Sequence, residues 1–501
     1  MNWSEGYVAD AEYTSHYFAE LAPAHLDLAA LTAGVMPPER ADGQFRYCEL
    51  GCGNGMTTNI IAACHPGAEF VGIDFMPVHV ANAKRAARRG GLENVQFYEL
   101  SFADACKENL GQFDYIVAHG VYSWISPQAR GELIEFCRRF LAPGGLVYLS
   151  YNTYPGWLGI SPVQKVVNEI AKTVQGPSAK RTKIGFEFAT RLHALKVAAF
   201  ELNPAAGIQI EKSGTQPPNY LAQEYLNESW FPLYVTDVMR EVKPAKLEYV
   251  ASATLAENDL RFLVNDDIAA MIREQPIEEL RQLVKDIAIN ARFRRDIYSK
   301  GGRRLSGLDQ RQLLKDRRFG LIRSPDPQKY HISYLGRTLG FDTPAAHAMV
   351  DSLMSGPKSL SMLAELAKDA QDPLRIALEV ATILCIGGWA QPVDIDQGAH
   401  LNMNRALTES ALEDTACNAV ASRLGAGVLV TPIEMAMLAD PEGFKGLDEG
   451  ITRVIAIADA KGRKFTPKGV TAAGAELHAY LSEEVGKALK RADAFRHFGL
   501  I

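Results

Sequence analysis

The sequence contains no long apolar run, although 47% of its 501 residues are hydrophobic. No stretch approaches the roughly 18 uninterrupted apolar residues that a membrane-spanning helix needs. The first ten residues are polar and acidic, without a basic start and a following apolar segment, so no secretory signal is visible. These absences argue against membrane insertion and predict a cytoplasmic protein.

Cysteine is also scarce: seven residues are scattered along the chain and form no C-x-x-C pair. A structural zinc site needs paired ligands at short spacing, and Cys48 and Cys52 have no second ligand pair nearby. We therefore expect reduced thiols and no metal.

Positive charge is not in excess, because 53 Lys and Arg residues stand against 59 Asp and Glu residues, for a formal net charge of -6. Proteins that bind a nucleic-acid backbone usually present a basic surface. Nucleic acid is therefore not predicted as a partner, whereas a protein or small-molecule substrate remains open. The length exceeds the roughly 250 to 300 residues of a single core, so two or three domains are expected.

The first 165 residues alternate strand-like and helix-like segments. Strands are predicted at 46–50, 69–74, 95–100, 113–118 and 146–151, with helices at 56–64, 77–89 and 127–141. Strands interleaved with helices predict a parallel sheet covered on both faces. Residues 1–165 are therefore predicted to form an α/β, Rossmann-like catalytic domain.

The later sequence is mainly helical in pattern. Residues 166–305, which include a helical stretch at 219–239, are predicted to form a helical middle domain, with the basic run Arg292 to Arg295 on a solvated helix face. Residues 306–501 are predicted to form a C-terminal domain. Helices followed by the turn Gly387-Gly388-Trp389 favour a winged-helix-like module there.

A glycine-rich turn follows the first predicted strand, in the order Glu49, Leu, Gly51, Cys, Gly53, Asn, Gly55. A dinucleotide loop has the spacing G-x-G-x-x-G, whose third glycine would fall at Met56. The observed G-x-G-x-G after an acid suits a cofactor that carries an ammonium and a sulfonium. We predict that the three glycines bind S-adenosylmethionine, with Glu49 near its positive end.

Asp74 closes the second predicted strand, 19 positions after Gly55. An acid about 20 residues beyond the glycine loop is placed to accept hydrogen bonds from a ribose diol. Asp74 is predicted to hold the ribose, and the neighbouring Phe75 to line the same site.

Ser101, Phe102 and Asp104 follow the third strand, at the usual position of the adenine edge. Phe102 either lies against the adenine face or packs in the core. Ser101 or Asp104 is placed to accept from the adenine amino group.

The candidate acceptor residues follow the fourth and fifth strands, where ligands bind in open α/β sheets. Tyr122 and Trp124 offer ring faces to a cation, and Asn152 and Tyr154 are predicted to position the acceptor. The alternative is that these residues pack the end of the sheet. His119 is either a general base or, as we favour, a wall of the cofactor site.

Several segments together resemble the bacterial class I methyltransferases that carry a methyltransferase regulatory domain. The segments are ELGCGNG, VGIDF, FDYIVAHGVYSWIS and LAPGGLVYLSYNTYPGW. The entry segment from Tyr13 to Phe18 resembles the family's Tyr-Pro-Ser entry, with Thr14 in place of proline, and implies that Tyr17 contacts the cofactor. The characterised branch of this family methylates lysine side chains of an outer-membrane surface protein.

The leading hypothesis is therefore an S-adenosylmethionine-dependent methyltransferase that acts on protein lysines, and homodimerisation is left open. A small-molecule or glycan N- or O-methyltransferase is the alternative. A third hypothesis is a binding protein that holds S-adenosylmethionine without turnover.

Overall fold

The structure is a computed structural model that describes residues 6–8, 10, 16–40, 43–325, 330–395, 398–399, 401–409, 419–462, 464 and 472–501. Cys417 and the part of the predicted entry segment from Tyr13 to Ser15 lie outside the described residues. Within these ranges, every helix is too short or too polar to cross a membrane.

The first part of the chain has the predicted alternation of strands and helices. Its elements are α1 (Pro23–Thr32), β1 (Arg46–Leu50), α2 (Met56–Cys64), β2 (Glu69–Asp74), α3 (Pro77–Arg89), β3 (Val95–Glu99), α4 (Phe102–Ala105), β4 (Phe113–Ala118), α5 (Pro127–Phe140) and β5 (Leu141–Asn152). Local signals set the boundaries: the Ser126 hydroxyl accepts from the amide of Ala129 at 3.1 Å, and Pro127 occupies the first turn of α5. Strand β5 begins at Leu141, five residues before the strand predicted at 146–151.

The middle part is helical with two strands. Its elements are α6 (Ser161–Lys172), α7 (Ser178–Ala194), α8 (Ala198–Glu201), α9 (Pro204–Ser213), α10 (Pro218–Leu226), α11 (Val235–Val242), β6 (Leu247–Ser252), α12 (Leu260–Leu263), α13 (Asp266–Arg273), α14 (Glu278–Ile289) and β7 (Phe293–Lys300). The helical stretch predicted at 219–239 is thus broken between α10 and α11.

The prediction of a solvated helix face at Arg292 to Arg295 is wrong. Three of these residues lie in β7, and Arg294 is 1% exposed. Its guanidinium pairs with Asp286 and with Asp296, because a buried charge needs charged partners.

The elements form a seven-stranded sheet with the order β3-β2-β1-β4-β5-β7-β6. Strands β1 to β5 run parallel, whereas β7 is antiparallel to both β5 and β6. The sheet therefore takes its last two strands from the region predicted as a helical middle domain. The strand order reverses between β1 and β4, and ligands bind at the carboxyl ends of strands at such a switch point.

The C-terminal part contains short strands among helices. Its elements are α15 (Gly307–Lys315), β8 (Arg318–Leu321), β9 (His331–Tyr334), β10 (Arg337–Gly340), α16 (Pro344–Met354), β11 (Lys358–Ser359), α17 (Leu360–Glu365), α18 (Pro373–Ile386), β12 (Ala390–Val393), α19 (Asn402–Glu409), β13 (Ala419–Val420), β14 (Val428–Leu429), α20 (Pro432–Ala439), α21 (Leu447–Ala460), α22 (Gly474–Lys490) and α23 (Ala492–His497). The winged-helix prediction is not confirmed. Strand β12 follows the helices α16 to α18, but its partner in the sheet is β8, a strand that lies before these helices in the chain.

Both faces of the large sheet are covered. On one face, Tyr47 and Tyr115 of the sheet share a continuous core with Leu353 and Leu384 of the C-terminal part. On the other face, α5 and α11 pack against β4 and β5. The candidate site lies at the carboxyl edge of the parallel strands.

Candidate active site

A cavity of about 840 Å³ lies at the carboxyl edge of the parallel strands. Its volume falls within the range of about 300 to 1,000 Å³ that is usual for small-molecule and cofactor sites. The predicted site residues that line it are Glu49, Gly51, Gly53, Asp74, Phe75, Ser101, Phe102, His119, Trp124 and Asn152. The fold thus brings ten of the predicted residues together in one cavity.

The three glycines of the predicted cofactor loop have different surroundings. Gly51, Gly53 and Gly55 have φ angles of +70°, +53° and +68°, a region that favours glycine. Gly51 and Gly53 line the cavity, and a Cβ on Gly53 would meet no atom within 4 Å. Gly55 packs against Ala83 and Phe97 instead. Its predicted contact with the cofactor is therefore corrected to a role in the turn.

Glu49 is a buried carboxyl at the cavity wall. It accepts a hydrogen bond from the Thr58 hydroxyl, and it is 5% exposed. Burial and, to a smaller extent, the Asp74 carboxylate raise the pKa of the Glu49 carboxyl to about 7, although the hydrogen bond from Thr58 acts in the opposite direction. A buried acid beside a second acid favours a cationic ligand. The ammonium and sulfonium of S-adenosylmethionine meet this requirement.

Asp74 connects the glycine loop to the cavity. Its carboxylate accepts from the amide of Gly53 at 2.8 Å and from the amide of Met76 at 2.9 Å, and the Nδ1 of His79 lies 3.3 Å away. A carboxylate has about four acceptor positions, so one remains for a ribose hydroxyl if His79 donates and two remain if it does not. Phe75 meets the ring of Tyr7 edge-on, with centroids 5.7 Å apart. His79 and Tyr7 were not among the predicted residues.

The adenine end of the cavity contains a small helix cap. The Ser101 hydroxyl accepts from the amide of Asp104 at 3.1 Å and donates to its carboxylate at 2.8 Å. Lys107 donates to the same carboxylate at 2.8 Å. These polar groups are thus largely committed to one another, which leaves the ring of Phe102 as the main surface offered to a base.

His119 is enclosed by aromatic rings. Its imidazole lies 3.7 Å from the ring centroid of Phe18, and its Nδ1 lies 2.8 Å from the Tyr148 hydroxyl. Burial lowers the pKa of His119 to about 3. The ring is therefore neutral and weakly basic near pH 7, which favours a wall of the site over a general base.

Two loops carry the candidate acceptor residues: the 119–126 loop after β4 and the 152–157 loop after β5. Trp124 and Asn152 line the cavity, and the Nδ2 of Asn152 is buried without a hydrogen-bond partner in the described structure. Tyr122 faces the other way, because its hydroxyl donates to Glu241 at 2.6 Å. Tyr154 packs on Tyr234, with ring centroids 5.2 Å apart. The predicted acceptor roles of these two tyrosines are therefore corrected to packing roles.

The entry segment contributes side chains on alternating sides. His16 and Phe18 line the cavity, whereas Tyr17 is 3% exposed and accepts from the amide of Gly427 at 2.8 Å. Successive side chains of an extended chain point in opposite directions. Tyr17 therefore does not line the cavity, which corrects its predicted cofactor contact, and its neighbours His16 and Phe18 line the cavity instead.

Helix α10 supplies a wall that the sequence reasoning missed. Three residues of α10 line the cavity, together with the residue that follows the helix: Tyr220, Gln223, Glu224 and Asn227. The spacing i, i+3, i+4, i+7 places them on one helix face, and this polar stripe was a readable signal. Burial raises the pKa of the Glu224 carboxyl to about 7, while the Arg292 guanidinium acts in the opposite direction.

The far wall is aromatic and basic. Trp157 donates from its Nε1 to the carbonyl of Arg292 at 2.9 Å, and the Arg292 guanidinium lies 4.5 Å from the Trp157 ring centroid. Phe293 lines the cavity beside them. All three were missed as site residues, because β7 was not predicted as a strand.

Comparison with known proteins supports this assignment of the cavity. A family model described as "Methyltransferase domain" matches residues 48–147, and one described as "Predicted methyltransferase regulatory domain" matches residues 217–300. We refer to 217–300 as the regulatory domain. The chain is 31% identical to the uncharacterized protein sll1526 of Synechocystis sp. over 480 residues, which cover 94% of each chain.

Two rickettsial proteins are also similar. The chain is 28% identical to the uncharacterized protein RP789 of Rickettsia prowazekii over 289 residues, 57% of this chain and 51% of that protein. The structure of PKMT2 from Rickettsia typhi in complex with AdoHcy has the same fold, with a TM-score of 0.70, 19% identity, and coverage of 97% of this chain and 99% of that one. With both family models and a relative similar along nearly its whole length, the chain belongs to the S-adenosylmethionine-dependent methyltransferases that carry a methyltransferase regulatory domain.

Proposed function

We propose that the protein transfers methyl groups from S-adenosylmethionine to lysine side chains of a protein substrate. The observation that supports this most directly is Glu224, the carboxyl that the regulatory domain contributes to the cavity. A carboxylate in the cavity wall suits an acceptor that arrives as an ammonium ion. The sequence resemblance to protein-lysine N-methyltransferases and the overall similarity to PKMT2 agree with it.

Aromatic rings complete a surface for a cation. Trp124, Trp157 and Phe293 line the same cavity as Glu224. A ring face stabilises a nearby ammonium by about 0.5 to 2 kcal/mol. A carboxylate and several rings together favour an amine over a neutral hydroxyl acceptor.

The residues also account for the proton. S-adenosylmethionine supplies an electrophilic methyl group on a sulfonium, which leaves as a neutral thioether. Glu224 binds the lysine ammonium and accepts one of its protons, and the amine lone pair then forms the new bond to the methyl carbon. Asn152 lines the cavity, and its side-chain oxygen can accept an N–H of the amine and so orient the lone pair toward the methyl group.

Transfer of labelled methyl groups tests the proposal. The purified chain is incubated with methyl-labelled S-adenosylmethionine and a lysate of its own source organism, and the protein and small-molecule fractions are separated. We expect label on a discrete protein and methylated lysine after acid hydrolysis. Glu224→Gln should lower the labelling rate by about tenfold or more, because a hydrogen bond to a charged group contributes roughly 1.5 to 3 kcal/mol.

A matched control is available on a neighbouring helix. Glu211 lies on α9, is exposed and does not line the cavity, so Glu211→Gln changes the same charge without touching the site. Glu211→Gln should label at the normal rate. A labelled protein without methylated lysine, or equal rates for the two variants, would contradict the proposal.

A small-molecule or glycan acceptor is the second candidate. The observation in its favour is that the cavity, at about 840 Å³, has the volume of a small-molecule site. In the same experiment, label confined to the small-molecule fraction would support this candidate and reject the protein substrate.

A further inference from the structure

One short stretch of the regulatory domain, residues 231–242, contacts both acceptor loops. This stretch contains the break between α10 and α11 and then α11 itself. None of the described residues 228–242 lines the cavity. Any influence of this stretch on methyl transfer must therefore act through the loops that it holds.

The 152–157 loop is held through its backbone. Leu233 donates from its amide to the carbonyl of Asn152 at 3.0 Å, and its own carbonyl accepts from the amide of Tyr154 at 3.2 Å. The Thr153 hydroxyl donates to the same carbonyl at 2.7 Å. Leu233 thus continues the sheet edge by one bridge and orients the residue that lines the acceptor side.

The 119–126 loop is held by a partly buried charged cluster, in which Arg130 is buried and Glu241 is half-buried. Glu241 accepts from the Tyr122 hydroxyl at 2.6 Å and from the Nε and Nη2 of Arg130 at 3.1 and 3.2 Å. A further backbone bond joins the amide of Phe231 to the carbonyl of Ser123 at 2.9 Å. The loop that carries Trp124 is therefore held at the two residues that precede it, and Glu241 also binds Arg130 of the following helix α5.

The cluster depends on the carboxylate of Glu241. Tyr122 is fully buried, and the Arg130 guanidinium lies between the rings of Tyr122 and Phe231, 5.7 and 5.4 Å from their centroids. Burial and the Glu241 carboxylate raise the pKa of the Tyr122 phenol far above its usual range, so the hydroxyl remains a donor. Without this carboxylate, a buried guanidinium and a buried hydroxyl would both lose their acceptor.

We propose that Glu241 is a positioning residue through which the regulatory domain fixes the acceptor side of the site. Its carboxylate holds Tyr122 and Arg130, and so sets the position of Trp124 against the methyl donor. The cofactor side does not depend on it, since Asp74 and the glycine loop hold one another locally. The proposed function enters only the kinetic part of the test.

The test uses the 501-residue chain, three single variants and one double variant, Glu241→Gln with Tyr122→Phe. Glu241→Gln keeps the shape of the side chain, and Tyr122→Phe removes only its hydroxyl. Asp237→Asn, on the exposed side of the same helix, is the matched control. Hydrogen–deuterium exchange of residues 119–126, affinity for S-adenosylhomocysteine and the initial rate of label transfer are measured for each.

We expect faster exchange in the 119–126 loop for Glu241→Gln and Tyr122→Phe, with affinity for S-adenosylhomocysteine within twofold of the unchanged chain. The turnover rate should fall about tenfold at saturating cofactor, corresponding to the hydrogen bonds lost to a charged group. The double variant should be no slower than the slower single variant, because both changes break the same link.

Unchanged exchange in the 119–126 loop would overturn the proposal regardless of the acceptor. Faster exchange spread over the whole sheet would assign Glu241 a purely structural role and would also reject the proposal. So would a loss of affinity for S-adenosylhomocysteine as large as the loss of turnover rate. A failure of the lysine assignment would change only which fraction carries the label, so the two proposals are tested separately.

Discussion

The two sides of the cavity differ in how far apart in the sequence their contacting residues lie. The cofactor side consists of strand ends and loops within residues 49–104, where the Gly53 amide reaches Asp74 across 21 positions. The acceptor side joins the 119–126 and 152–157 loops to a stretch of the regulatory domain, with Tyr122 and Glu241 separated by 119 positions. The comparison indicates that cofactor binding is locally determined, whereas acceptor binding depends on how the domains pack.

The largest expected effect is on the cofactor side, at Asp74. Asp74→Ala removes the predicted ribose contact and also releases the amides of Gly53 and Met76. We expect the dissociation constant for S-adenosylhomocysteine to rise by at least about 100-fold, because two or more bonds to a charged acceptor are lost. Isothermal titration calorimetry measures it. Asp267→Ala, on the exposed surface of α13 and away from the cavity, should change the constant by less than about threefold.

The contact between the two sides can be tested at Gly51. A Cβ on Gly51 would collide with the Cγ2 of Val121 in the 119–126 loop, whereas a Cβ on Gly53 would enter open space. Both positions have positive φ, so each alanine costs about 1 to 2 kcal/mol of backbone strain. We expect Gly51→Ala to lower the free energy of unfolding by a further 1 kcal/mol or more, on the order of ordinary overpacking. Equal destabilisation by the two alanines in denaturant titrations would show that the sides are not in contact there.

The pH dependence should separate the two buried acids. Burial raises the pKa of Glu49 and of Glu224 to about 7. A cationic ligand stabilises the carboxylate, so binding below pH 7 must displace a proton and affinity should fall by up to about tenfold per pH unit. Cofactor affinity should lose this dependence in Glu49→Gln but keep it in Glu224→Gln.

The same shifts have a consequence for stability. Because both folded pKa values lie above the unfolded value, these carboxyls favour the folded state in acid, and that contribution is lost as the pH rises through about 7. A melting temperature of the ligand-free protein that rises in either glutamine variant at pH 8, but not at pH 5, would agree with this sign.

The smallest expected effects are those of single aromatic rings. Phe102→Ala should raise the dissociation constant for S-adenosylhomocysteine about three- to tenfold, from the loss of one stacking contact. Trp124→Ala should leave that constant within about twofold and lower the labelling rate by a similar three- to tenfold. If both variants act on the same quantity, the division of the cavity into two sides is wrong.

Much of the fold was predictable from alternation and turns. The boundaries of β1, α2, β2, α3 and β4 agree with the sequence patterns, because each segment combines a buried apolar run with a local stop signal. Strand β7 was missed, since its charged residues read as solvated and only the buried partners of Arg294 make a strand there possible.

The site was predictable to the same extent. Side chains at the ends of parallel strands meet at one edge, which correctly gathers Glu49, Asp74, His119 and Asn152 around one cavity. Side-chain direction was not predictable in the loops. Tyr122 and Tyr154 turn away from the cavity because their partners, Glu241 and Tyr234, come from a distant part of the chain.

By itself, the sequence determined the methyltransferase domain, its glycine loop and the acid that closes the second strand, since these features depend on residues close together in the chain. Only the tertiary structure decided that β6 and β7 complete the sheet, that Glu224 enters the cavity and that Glu241 holds a loop of the catalytic domain. The physical reason is that a buried charge is placed by the partners that neutralise it, and those partners are brought together only when the chain packs.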